Sequence, residues 1–172
     1  MRPGARKFAL TAHISCSVGW LGAVAAFLAL SIAGLMSEDP QVVRAAYLGA
    51  ELTTTYVIVP LSIASLVSGV VQALGSPWGL LRHYWVLIKL LMTIVATLIL
   101  LLHTQPIGLV AETVAKATLS SADLRGLRVQ LVADASAAMA ALVVTVGLSV
   151  YKPRGMTRYG RRRQHQQRAV AT

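Results

Sequence analysis

Charged side chains are scarce in this 172-residue chain: Asp, Glu, Lys and Arg make up 13% of it, against about 25% in soluble domains. That density does not cover the surface of a water-soluble globule of 18.3 kDa. It argues against a soluble enzyme and against disorder. Cysteine is scarcer still. The lone Cys16 rules out an intrachain disulfide framework and a cysteine-based zinc cluster, and it reads as a small apolar residue. The phosphate-binding, dinucleotide-binding, zinc-protease and nucleophile-elbow motifs are absent, and no serine, histidine and acid form a plausible triad. No internal or inverted repeat points to a transporter. What the chain has instead is apolar residues, 56% of the total, with a mean hydropathy of +0.66. The net charge of +10 is then a topology signal before it is a nucleic-acid signal.

A membrane span needs about 20 mostly apolar residues. Four runs qualify, at about 9–36, 45–75, 82–103 and 129–151. The expected fold is all-α, an antiparallel four-helix transmembrane bundle. A cleaved signal peptide is the rival reading of the first run, but a signal core is only about 7–15 residues long and this run is far longer. Asp39-Pro40 and Ser76-Pro77 each read as a helix cap followed by proline at the first helical position. Ser120 with Asp123 resembles a capping box. Residues 104–128 are expected to form a loop that carries a short amphipathic surface helix, Pro106 to Leu119, with Ile107, Val110, Val114 and Ala117 along its apolar stripe. Pro60 lies inside the second run. It should free the carbonyl of Tyr56 and kink the helix, with Thr54 or Thr55 as local partners.

Lys and Arg set the orientation. Arg2, Arg6 and Lys7 lie at one end of the chain, and residues 152–172 form a basic tail with Lys152, Arg154, Arg158, Arg161, Arg162, Arg163 and Arg168. Four spans bring both ends to one side, so the positive-inside rule predicts cytoplasmic termini in a plasma membrane. The tail reads as an anchor on anionic lipid, without nucleic-acid contact. Tyr47, Trp78, Tyr84, Trp85 and Tyr151 fall at the expected interfaces. Small residues, such as the series Ser65, Gly69 and Ala73, allow close helix approach. The same pattern serves the bundle itself, a homodimer or a membrane-protein partner.

Ionisable residues inside spans are functional candidates. At a rise of about 1.5 Å per residue, Glu51, His103 and Asp134 lie roughly 13, 15 and 8 Å to the outer side of the midplane. An imidazole with two carboxylates suits Zn²⁺, copper or proton handling; the alternative is a set of interfacial residues that bond one another. On the inner side lie His13 and His83, about 15 Å from the midplane, and Lys89, about 5 Å from it. Two histidines at one depth suit axial ligation of haem b, with Lys89 near a propionate and Trp20 on the His13 face; the alternative is ordinary interfacial and snorkelling residues. His165 lies in the tail and reads as solvated.

His13, Trp20 and Gly22 form H-x6-W-x-G, and Trp85-x3-Lys89 opens the third span, which His103 ends. With the blocks Ser17 to Leu30, Ala45 to Leu52, Ser76 to Gln105 and Tyr151 to Arg163, this pattern resembles small four-span bacterial membrane proteins. These are related in pattern to the CopD copper-resistance proteins and the HemJ-type haem-binding membrane proteins. The resemblance implies a four-helix membrane bundle and, from the HemJ side, haem b ligated near the first and third spans, where His13 and His83 or His103 stand. The Tyr-His pair expected late in the first span of HemJ-type enzymes is absent here. The expectation is therefore a membrane protein that binds haem b or copper between its helices and need not be an enzyme. The alternative is a structural or partner-binding subunit without a cofactor.

Overall fold

The computed structural model describes residues 2–75, 84–116, 121–151, 155 and 157. Four helices account for nearly all of them: α1 (Pro3–Met36), α2 (Pro40–Gly75), α3 (Tyr84–Lys116) and α4 (Ser121–Tyr151). No strand occurs among the described residues. Each helix is long and apolar enough to cross a membrane, and the chain is all-α, as expected.

Local sequence explains the first turn. The amide of Ser37 donates to the Ala33 carbonyl, and Ser37 then leaves the helix in an extended conformation. Asp39 caps α2: its Oδ1 accepts from the Gln41 amide at 2.8 Å, and Pro40 takes the first helical position, where a missing N–H costs nothing. The Ser76-Pro77 cap lies outside the described residues, as does Ser120 of the expected capping box.

The helices surround a common axis in chain order. Neighbours α1–α2, α2–α3, α3–α4 and α4–α1 pack together, and contact across the two diagonals is minor. The α1–α2 seam is the tightest. Ser17 and Ser65 share a hydroxyl hydrogen bond of 2.8 Å, Gly69 lies against the His13 ring, and Gly19 lies against Leu61. The small residues Ser65 and Gly69 thus serve packing within the chain.

Three expectations change. Residues 104–116 are not a loop with a separate surface helix: α3 runs straight on to Lys116. Ile107 and Val110 join the core cluster beside Tyr47 and Leu131, because the far ends of the other helices offer that stripe a protein surface to bury against. Tyr47 is 1% exposed, so it belongs to this core and not to an interfacial belt; the Arg128 guanidinium stacks over its ring, 5.3 Å from the centroid. Finally, Pro60 is accommodated by a π-helical turn at Thr54–Ile58, in which the Val59 amide reaches back to the Thr54 carbonyl. The Thr54 hydroxyl does not serve the Tyr56 carbonyl; it donates to Ala50 O at 2.8 Å, as Thr53 donates to Gly49 O at 2.7 Å.

Candidate functional site

Along the bundle axis, toward the end opposite the chain termini, lies a cavity of about 450 Å³. All four helices line it, through residues that include Trp20 and Phe27 of α1, Thr54 and Ile58 of α2, Met92 and His103 of α3, and Asp134 and Ala138 of α4. Its wall is almost wholly apolar. Small side chains create the space: Ala135, Ala137, Ala138 and Ala141 give α4 a face too shallow to fill the middle of the ring. Val95, Ile99 and Ala137 line the cavity and are exposed, so it communicates with the bundle exterior between α3 and α4. In a membrane that exterior is hydrocarbon.

The polar exception is the pair His103 and Asp134. His103 Nε2 stands 3.2 Å from Asp134 Oδ2. The other ring nitrogen, Nδ1, lies 2.8 Å from the Ile99 carbonyl oxygen. A carbonyl can only accept, so Nδ1 carries a hydrogen and donates it. Nε2 and Oδ2 would then meet lone pair to lone pair unless a proton sits on one of them. The contact is not aligned as a hydrogen bond: Oδ2 is buried and has no hydrogen-bond partner among the described residues. The Asp134 side chain is nonetheless 40% exposed, which leaves Oδ1 as the carboxyl oxygen a ligand can reach.

Two members of the outer cluster expected from sequence, His103 and Asp134, thus come together. The third does not join them. Glu51 is directed past Gly108, where a Cβ would lie 3.6 Å from its Oε1, and among the described residues no three His, Cys, Asp or Glu side chains are placed to hold a metal ion.

Of the inner cluster, His13 and Lys89 fall among the described residues. His13 Nδ1 donates to the Ser65 carbonyl at 3.1 Å and to Ser68 Oγ at 3.2 Å, while the Ser68 hydroxyl donates to Ala64 O. The ring is thereby tied to α2. Lys89 donates to Ser149 Oγ at 2.6 Å and lies 5.9 Å from the Trp85 ring centroid. His83 lies outside the described residues. Trp20, expected on the His13 face, lines the cavity with His103 and is 4% exposed.

Sequence reading missed the cavity itself. Its signal was present in the alanine run Ala135 to Ala141, two turns of α4 without a large core residue except Met139, facing Trp20 and Phe27 across the axis. No protein-family model matches the chain, and neither a curated protein nor a solved structure does.

Proposed function

We propose that this multi-pass membrane protein binds a small lipophilic molecule in the cavity between its four helices, holding the molecule's polar group against His103 and Asp134. The observation that carries this reading is the coincidence, in one space of about 450 Å³, of apolar walls from every helix with the polar pair His103 and Asp134. That is the usual composition of a small-molecule site: apolar lining for affinity, and a few polar groups for orientation. The opening between α3 and α4 favours entry from the bilayer. It also explains why so costly a pair lies among apolar side chains, since an ionisable group at depth is retained where it meets a partner.

The reading asks for no metal and no covalent chemistry, and it makes the protein a binding protein before an enzyme. Trp20 provides the test. In a variant keeping Trp20 as the sole tryptophan, a bromo-octanol should quench its fluorescence saturably in lipid nanodiscs. Ala138→Phe, which fills the cavity, should remove the saturable part. Quenching that rises linearly with probe and is the same in both proteins would refute the reading.

A further inference from the structure

Resting on that binding site, we propose that its preferred ligand is a lipophilic primary or secondary ammonium ion, that His103 and Asp134 share one proton in the empty site, and that each ion bound displaces it. The geometry gives the charge balance. With Nδ1 committed to the Ile99 carbonyl at 2.8 Å, His103 can offer only Nε2 to the cavity. Nε2 and the carboxyl group of Asp134 lie side by side, 3.2 Å apart at their nearest atoms. Once the shared proton leaves, the pair is a neutral imidazole beside a carboxylate: two hydrogen-bond acceptors and one negative charge. A primary or secondary ammonium has at least two N–H donors and one positive charge. One N–H goes to His103 Nε2, the other to Asp134. The site is neutral before and after, so no net charge enters a low-dielectric cavity. A neutral alcohol or amide leaves the proton in place and meets no such complementarity.

Among the described residues, other charged and titratable groups do not supply an alternative. The lining residues of α1 are apolar or indole, among them Trp20, Val24 and Phe27. On α2, Glu51 is turned to Gly108 and Tyr47 is sealed in the core. On α4, Arg128 is stacked on Tyr47. On α3, Glu112 lies beyond the cavity lining and has an interaction of its own.

The exchange is written in full as protein–H⁺ plus ammonium giving protein–ammonium plus H⁺ to water. No bond other than hydrogen bonds and that one N–H or O–H changes, and nothing is oxidised. The probe is a dansyl-labelled primary alkylammonium, with the matching dansyl alkyl alcohol as the neutral control, both added to the full chain in nanodiscs. In weakly buffered solution the ammonium should release one proton per molecule bound. Its affinity should rise about tenfold per pH unit while the pair still carries its proton and the amine, like a lysine of pKa about 10.4, stays charged. Asp134→Asn should lose the ammonium preference and the proton release yet still bind the alcohol. Equal, pH-independent binding of both probes without proton release would overturn the exchange and leave the cavity reading standing. Binding of neither probe would overturn both. If Asp134→Asn misfolds, His103→Gln is the second variant: it should bind the ammonium with the proton stoichiometry changed, and an unchanged stoichiometry would overturn the proposal.

Discussion

Gly34 on α1 lies directly under the ring of Tyr47 on α2: a Cβ at Gly34 would stand 2.7 Å from Cε2 and 2.9 Å from Cζ. Tyr47 cannot yield easily, because it is almost fully buried and Arg128 covers its other side. Gly34→Ala should therefore destabilise the bundle by about 1–3 kcal/mol through overpacking, less the helix-propensity gain of roughly 1 kcal/mol. Gly22→Ala is the matched control, since a Cβ there meets nothing within 4 Å. Thermal unfolding in detergent should show a lower Tm for Gly34→Ala and an equal or higher one for Gly22→Ala. Equal values for the two would deny the Gly34–Tyr47 contact.

The π-helical turn makes a second prediction. The wide turn at Thr54–Ile58 absorbs one additional residue ahead of Pro60. Deleting Thr55, which is exposed, should restore a regular helix whose two halves keep their phase, and should bring the Pro60 ring against the preceding turn at a cost of about 3 kcal/mol. Tm should fall far more on the deletion than on Thr55→Ala, and Pro60→Ala in the shortened chain should recover it; no recovery would mean that the turn does not serve Pro60.

Much of the fold was legible because four apolar runs and one clear cap, Asp39-Pro40, are local signals. Less was legible wherever one segment's behaviour depends on another. The stripe Ile107 and Val110 is amphipathic whether it lies on lipid or on protein, and the burial beside Tyr47 decides that it continues α3. Depth along each helix placed His103 and Asp134 together correctly, because both lie near the same end. Depth carries no information about rotation around the helix axis, so it did not show that Trp20 lines a space shared with His103. The cavity is a deficit of side-chain volume, and a deficit shows only when facing helices are set side by side.

The sequence favours His13 as the first functional histidine, and the structure ties its Nδ1 to α2. His13→Ala removes the hydrogen bonds from Nδ1 to Ser65 and Ser68. It should cost about 0.5–2 kcal/mol, the range of interhelical hydrogen bonds in membranes. It should leave ligand affinity in the cavity unchanged. A chemical-denaturation series in mixed micelles, run beside the bromo-octanol titration, checks both parts. A loss of binding without a loss of stability would return His13 to the site.

Filling the cavity should separate stability from binding. Ala138 is partly buried against the core and lines the cavity, so Ala138→Leu places new methyl groups into existing space. Stability should hold or rise, by up to about 0.8 kcal/mol for each methylene that finds contact, and Tm with it, while probe affinity falls at least tenfold. A drop in Tm would mean that the alanine face of α4 is already closely packed.

We place a lipophilic molecule in the space between the helices, with its polar end at His103 and Asp134. The most direct measurement is a crystal structure of the protein soaked with a bromoalkylammonium, read by the anomalous signal of bromine. The account predicts one bromine peak inside the bundle, among Met92, Ala138 and Leu142, with the ammonium density between His103 Nε2 and Asp134. A bromine signal confined to the outer, lipid-facing surface of the helices, with the cavity free of ligand density, would contradict it.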